Sequence, residues 1–370
     1  METNWTKDAF GEVLNKIRRT SLKIKDGIPY RSIGEKYSDM SDDMGWWTNG
    51  FWPGILWIAY IHTKKSDYML WAEGCEKKLD EVLKNYYRVD HDAGFLWHLS
   101  AVTNYKTTGD EESKRRGMVA ASFLASRFNI AGNFIRAWSG DNNQGWAIID
   151  CMMNLPLLYW ASDISNDPRF RHIAVAHADM AAREFVREDG SVRHIVCFDA
   201  ETGEKVGVRG GQGYDENSSW SRGTAWALYG FALSGKYTKN DKYIKIAKRV
   251  ADFFISELPK DYIPFVDFKA PRGKQDKKDS TAASIAASGL LVLSRLVTDE
   301  VEKQIYEDSA LKIIKSLYQK YRADDSNEAI LVHGNVAYWA KAPDDDLSII
   351  YGDYFFLEAL AQLNGYEELF

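Results

Sequence analysis

Residues 279–294, DSTAASIAASGLLVLS, carry one charged side chain at the first position and none after it. A run of this length and composition is too apolar for a surface and too long for a single strand. It predicts a helix that is apolar all round and therefore enclosed by other helices. Five further runs read the same way: 48–60 (TNGFWPGILWIAY), 92–102 (DAGFLWHLSAV), 150–162 (DCMMNLPLLYWAS), 222–234 (RGTAWALYGFALS) and 353–363 (DYFFLEALAQL). Each opens on a small or polar residue.

Before and between these runs lie six segments of another kind, at about 8–24, 67–87, 112–128, 169–185, 242–258 and 301–321. They are amphipathic at helical period. In the fifth, Ala247, Val250, Ala251, Phe254 and Leu258 make one stripe, with Lys245, Lys248, Arg249 and Asp252 elsewhere. In the second, Trp71, Cys75, Leu79, Val82 and Tyr86 do the same. Twelve helices, alternately one-sided and apolar all round, predict an all-α (α/α)6 toroid. Six inner helices are then ringed by six outer ones, in a single domain over residues 1–370. One end of such a ring surrounds a closed-bottomed pit, into which helix N-termini present unpaired N–H groups and positive dipole ends. Function is expected where the inner runs begin.

The starts of the third and fourth runs lie 72 residues apart, and this gap holds the one clearly β-like stretch, SVRHIVCFDAETGEKVGVRGG (191–211). Val192, His194, Val196 and Phe198 alternate with other side chains, and Asp189-Gly190 supplies a turn. It predicts a β-hairpin insertion at the rim of the cavity. KAPRGKQDKKDS (269–280) reads as a solvated loop.

A composition of 45% hydrophobic and 27% charged residues is that of an ordinary globular protein, and a net charge of −6 offers no basic stripe for nucleic acid or an anionic membrane. No uncharged run approaches the roughly 20 residues of a membrane span. The N-terminal METNWTKDAFGEVLNKI is a charged amphipathic helix, not a secretory leader, so a cytoplasmic protein is expected. Cys75, Cys151 and Cys197 are far apart in apolar contexts and read as buried reduced thiols.

Asp150 is the most informative single residue. It sits in GWAIIDCMMNLPLLYW between Ile148, Ile149, Met152 and Met153, where a carboxylate is costly unless paired or protonated. Asn154 and Pro156 leave a helix-capping role open. Asp92, in VDHDAGFLW, reads equally as an N-cap, as does Asp90. The two aspartates gain significance jointly. At the mouths of neighbouring inner helices they can face one another across a cavity, and mutual repulsion then raises one pKa. Trp46, Trp47, Trp52, Trp97, Trp138, Trp146, Trp220 and Trp226 all fall at or near inner-run starts. Their flat faces suit sugar rings, although packing between helix layers explains any one of them as well. Arg222, between Trp220 and Trp226 in sequence, is placed to fork onto a substrate carboxylate. Other chemistries lack support: there is no HExxH or GxSxG, His172 and His177 are five apart, and RGGQG follows no βαβ pattern. No metal or organic cofactor is expected.

The ordered motifs WWTNGFWPGILW, HDAGFLW, RAW, IIDCMMNLPLLYWAS, FDAETGE, SSWSRGTAWALYGFAL, DSTAASIAASGL and IYGDYFFLEAL resemble those of bacterial unsaturated glucuronyl hydrolases, glycoside hydrolase family 88. The resemblance runs from about residue 40 to the C-terminus. It implies the (α/α)6 fold and release of a 4,5-unsaturated uronic acid from the non-reducing end of lyase-generated oligosaccharides by hydration of the double bond. Position by position, it puts the catalytic pair on Asp92 and Asp150 and substrate-binding groups on Trp47, His91, Trp138, His194, Gln212, Trp220, Arg222 and Trp226. The proton for C4 is assigned to Asp150, in its apolar setting, which the resemblance also favours; Asp92 then holds the pair's second charge and raises the Asp150 pKa. Two positions depart from the pattern. Gly211 precedes Gln212 where relatives often carry a larger polar residue, and His333 is followed by GNVAYWAK, without the Ser/Lys cluster of relatives that accept sulfated sugars. Competing readings are an unsaturated rhamnogalacturonyl hydrolase, a sugar epimerase using His91 and His194, and a non-catalytic glycan-binding toroid.

Overall fold

Six almost fully buried helices close into a ring, and six amphipathic helices surround it. A computed structural model describes residues 3–85, 89–271, 273, 277–341 and 345–370. Among them the outer helices are α1 (Thr3–Ile24), α3 (Ser66–Leu83), α5 (Glu111–Ser126), α7 (Pro168–Glu184), α9 (Asp241–Ser256) and α11 (Glu300–Lys320). The inner helices are α2 (Phe51–Thr63), α4, α6 (Leu155–Ser165), α8 (Ser221–Thr238), α10 (Ser280–Leu296) and α12 (Ile350–Leu363). Helix α4 is one rod in three pieces, Ala93–Trp97, a π-helical turn His98–Val102, and Thr103–Thr108. Each inner helix packs on the next, and α12 returns to α2, so the (α/α)6 ring is closed.

The connections are unequal. Helices α4, α6 and α8 each end on a residue in the left-handed region, Gly109, Asn166 and Lys239. The next residue, Asp110, Asp167 or Asn240, then caps the following outer helix through its side chain. Two residues suffice for the turn at that end. The returns from outer to inner helices are long, and they gather at the opposite end. There α2, α4, α6, α8 and α12 begin without a side-chain cap.

Helix limits depart from the sequence reading where an inner run starts on a functional or pinning residue. The third inner helix begins at Leu155, because Asp150 lies in a preceding 3-10 turn, Ile149–Met153. The sixth begins at Ile350, three residues ahead of Asp353. Tyr86, the last member of the expected α3 stripe, lies outside the described residues, as does part of the 269–280 segment.

The expected hairpin is present but larger. β6 (Ile195–Phe198) pairs antiparallel with β7 (Lys205–Arg209) and, on its other edge, with β5 (Trp146–Ile148). Val192 and His194 therefore precede the strand. The hairpin turn is at Asp199–Gly203, where the Asp199 carboxylate accepts the Glu201 and Thr202 N–H groups. Two smaller antiparallel pairs join β1 (Pro29–Ile33) to β2 (Lys36–Asp39) and β3 (Phe128–Asn129) to β4 (Phe134–Ile135). Strand β5 runs straight into the 3-10 turn, so the three-stranded sheet rims the pit beside Asp150. Below, Phe51, Phe95, Trp226, Phe355 and Phe370 interlock as a plug of rings. The three cysteines are buried and unpaired, and no helix among the described residues is long and apolar enough to cross a membrane.

Asp353 shows what a structural carboxylate looks like here. It is 2% exposed and accepts the Ile330 and Leu331 N–H groups at 2.7 and 2.8 Å, and the Tyr37 hydroxyl. Asp353→Ala would strand three buried donors and should lower unfolding free energy by about 3 kcal/mol or more. Asp353→Asn, which keeps one acceptor oxygen, should lose less. Chemical denaturation of the two variants checks this order.

Candidate active site

Four inner runs open on an aspartate, and the structure separates them by their partners. Asp279 is a true cap, accepting the Thr281 and Ala282 N–H groups of α10, and Asp353 pins backbone as described. Asp92 stands at the N-cap position of α4 but makes no side-chain cap bond, and Asp150 is inside a 3-10 turn. Neither serves the backbone, and both line one cavity of about 450 Å3 with Trp47, Trp138 and Gln212.

Asn154 ties the two segments together. It is fully buried, and its Oδ1 accepts the Phe95 N–H of α4 at 2.8 Å. That bond turns its amide nitrogen toward the Asp92 carboxylate, 3.2 Å away, and the Asp150 carbonyl, 3.4 Å away. The close approach needs Gly94, where a Cβ would fall 2.5 Å from the Asn154 Cα. Arg127 holds the neighbouring loops by donating to the carbonyls of Val89, Arg136 and Ala137 and to the Ser139 hydroxyl. This fixes Trp138 over the cavity and the chain leading to Asp92.

Asp150 faces His194, with Oδ1 3.5 Å from Nε2. The Gln212 N–H donates to His194 Nδ1 at 3.0 Å, while the Gly210 carbonyl lies 3.2 Å from the same atom. The shorter contact, from an obligate donor, makes Nδ1 the acceptor and leaves the ring proton on Nε2, aimed at Asp150. Gly211, at φ +58°, permits this turn, since a Cβ there would meet Nδ1 at 2.2 Å.

The charge states differ from the sequence expectation. Burial, then the negative charges of Asp90 and Asp150, push the Asp92 carboxyl well above its ordinary value. Burial also raises Asp150, but the facing His194 Nε2–H and the positive charge of Arg222 hold it below the ordinary value. The two carboxyls are thus shifted in opposite directions, Asp92 toward its protonated form and Asp150 toward its ionised form. Apolar sequence neighbours alone point to a protonated Asp150, and groups remote in sequence oppose them. His91 is buried 3.4 Å from the Asp92 carboxylate, and burial pushes its pKa down to about 3, so it is neutral. With Asp90 and Asp92 it offers three ligand atoms within 4.8 Å of one another. Asp90 already accepts the Asp92 N–H, and Asp92 the Asn154 amide.

Arg222 is 1% exposed, its guanidinium 4.4 Å over Trp220 and 4.9 Å over Tyr351. It is thus sandwiched by Trp220 and Tyr351. It donates to the carbonyls of Asn335 and Val336. It lines an adjoining cavity of about 480 Å3 that shares Trp46, Trp47 and Gln212 with the first. Trp220 lies beneath His194, ring centroids 4.7 Å apart. Trp226 is not at the site: it is fully buried between Phe95 and Phe355. An indole one helical turn beyond Arg222 points down into the ring of helices, which the run itself does not disclose. Sequence reasoning missed Asp43, Ser139 and Ile148 on the cavity wall, Asn154 as the bridge, and Tyr351. Asp90 drew attention only as a cap.

A closed (α/α)6 ring with two backbone-independent carboxylates among indoles at its mouth defines a glycoside hydrolase. The chain belongs to glycoside hydrolase family 88, whose model, Glycosyl Hydrolase Family 88, matches residues 21–340. It is 37% identical to an unsaturated glucuronyl hydrolase from Bacillus sp. (strain GL1), with 96% of each chain covered. It is 33% identical to an unsaturated chondroitin disaccharide hydrolase from Streptococcus pneumoniae, over 96% of this chain and 92% of that one. The structure superposes on that of the Bacillus sp. GL1 unsaturated glucuronyl hydrolase with a TM-score of 0.92, at 34% identity and 97% coverage of both chains. An unsaturated glucuronyl hydrolase specific for heparin matches with a TM-score of 0.89, 31% identity and 97% coverage of both.

The raised Asp92 pKa carries a stability signature. A carboxyl with a higher pKa folded than unfolded loses stability as pH rises above its unfolded value, and the loss is complete once pH has passed its folded value. Asp92→Asn removes that loss. The melting-temperature gain of Asp92→Asn over wild type should therefore grow from pH 5 to pH 8. A gain that shrinks over this range would place the proton elsewhere.

Proposed function

We propose that this single catalytic domain hydrates the C4=C5 enol ether of a 4,5-unsaturated uronic acid at the non-reducing end of a glycosaminoglycan-type oligosaccharide, releasing the sugar it is joined to. The observation that carries this reading is the pair Asp92 and Asp150, buried in one cavity, with carboxyls shifted in opposite directions and no structural duty. A cavity of about 450 Å3 is within the range of small-ligand sites. Support also comes from relatives: an aspartate-to-asparagine variant of an unsaturated glucuronyl hydrolase binds dGlcA-Glc-Rha-Glc. Another, from Streptococcus agalactiae, binds dGlcA-GalNAc6S.

The ring oxygen of the substrate donates into C4=C5, so a proton added at C4 leaves positive charge shared by C5 and that oxygen. Asp150 delivers this proton. Entry of the substrate's C5 carboxylate beside Arg222 and His194 opposes the positive potential that keeps Asp150 ionised, and it expels water. Both effects raise the Asp150 pKa and let it take up the proton. Once deprotonated again, Asp150 draws a proton from the water that adds at C5, while Asp92 supplies negative potential near the cation. The hemiketal so formed opens: the ring oxygen leaves C5 as a ketone, and the hemiacetal at C1 expels the aglycone alcohol. One water is consumed, and no bond at C1 is attacked directly, unlike the two-carboxylate glycosidase scheme. Trp47 and Trp138 flank the ring and exclude bulk water, and Gln212 is oriented by its bond to the Val336 carbonyl.

His91, neutral and enclosed behind Asp92, gives no support to a histidine-pair epimerase. His333 pairs with Asp346 at 2.6 Å and has no serine after it, which favours unsulfated substrates. Buried reduced thiols accord with a cytoplasmic setting.

Wild type should abolish the ultraviolet absorbance of the conjugated alkene in unsulfated chondroitin or hyaluronan lyase disaccharides, and in heavy water should place deuterium at C4. Asp150→Asn should fold normally and lose at least about 100-fold in kcat. Release of the aglycone with the alkene intact would contradict hydration.

Substrate arrival should also drive proton uptake. Calorimetric binding of an unsaturated disaccharide to Asp92→Asn, compared in buffers of different ionisation enthalpy, should show net uptake near neutrality. The same experiment on Asp150→Asn should show less.

A further inference from the structure

The three-stranded sheet has two unlike faces. Ala147 and Val196 turn inward to the main core, whereas Ile148, Ile195 and Cys197 form a small separate cluster with Ala137, Trp138 and Trp146. Register sets Trp146, Cys197 and Gly207 side by side in one row, and Ile148, Ile195 and Arg209 in the next. Ile148 belongs to the catalytic cavity, and Trp146 lies in an outer groove of about 950 Å3. Two residues of strand separate them, roughly 6.6 Å along β5. Trp138 and Trp146 meet edge to face across that step, centroids 6.2 Å apart. Gly207 leaves the trough open, with nothing within 4 Å of where a Cβ would stand. The exposed Arg209 holds its guanidinium 4.7 Å over the Trp146 ring. Among the described residues it has no carboxylate in ion-pair contact.

We infer that this outer face is a subsite for the second sugar beyond the scissile bond, with Trp146 beneath the ring and Arg209 receiving the ring's carboxylate. The inference rests on the proposed function and extends it to longer substrates. In a polymer alternating uronate with amino sugar, the unit two places from the unsaturated end is again a uronate, so an arginine fits there. A planar guanidinium backed by an indole is held ready for a bidentate carboxylate contact. Asp215 and Glu216 also line the groove and disfavour further negative charge, which suits one carboxylate rather than a sulfated ring.

The test compares kcat/KM for unsaturated unsulfated chondroitin disaccharide and tetrasaccharide in wild type and Arg209→Ala. Wild type should favour the tetrasaccharide by about tenfold, in line with one partly exposed charge-assisted contact. Arg209→Ala should bring the tetrasaccharide down to the disaccharide value through KM, leaving disaccharide turnover and melting temperature unchanged. Arg209→Glu should reverse the preference. Equal wild-type values for both lengths, or an equal loss on both in Arg209→Ala, would overturn the subsite while leaving the hydrolase reading intact. Failure of wild type to turn over either length would remove both.

Discussion

Two carboxylates enclosed in one cavity cannot both be ionised cheaply, and the surrounding structure decides which one keeps the proton. Asp90 lies behind Asp92, and the Nε2–H of His194 faces Asp150. That asymmetry is built by backbone: the Gln212 N–H selects the His194 tautomer, and Phe95 turns Asn154 toward Asp92. Each contact joins a different pair of chain segments, so the proton's location depends on the whole ring of loops.

The ring of helices supplies rigidity in an uneven way. At one end, left-handed residues followed by capping aspartate or asparagine turn inner helices into outer ones within two residues. Such turns leave no room for a site. At the other end the long returns bring 42–50, 89–92, 136–150, 190–220, 331–341 and 345–349 together over uncapped inner helices. Arg127 and Arg222 then act as staples, spending guanidinium groups on loop carbonyls. Loops positioned by a stiff scaffold carry the chemistry.

Much of this was legible in the chain. Runs apolar all round, alternating with amphipathic segments, admit few enclosures, and the toroid follows. That Asp150 would lie at the cavity was also legible, because a lone carboxylate between Ile149 and Cys151 demands a reason. What could not be read was the sense of the electrostatic asymmetry. Local apolar neighbours suggested a protonated Asp150, whereas His194, 44 residues away, and Arg222, 72 away, reverse it. Trp226 was misplaced for a related cause: an apolar run shows that a helix is enclosed, not which turn faces the cavity. The third strand β5 was hidden by its three-residue length.

The central claim is the location of one proton. Carbon-13 NMR of aspartate carboxyls in the free enzyme, titrated with pH and assigned through Asp92→Asn and Asp150→Asn, reads it directly. Asp92 should titrate well above the usual aspartate range, and Asp150 should ionise below it. The opposite order, or two ordinary titrations, would contradict it.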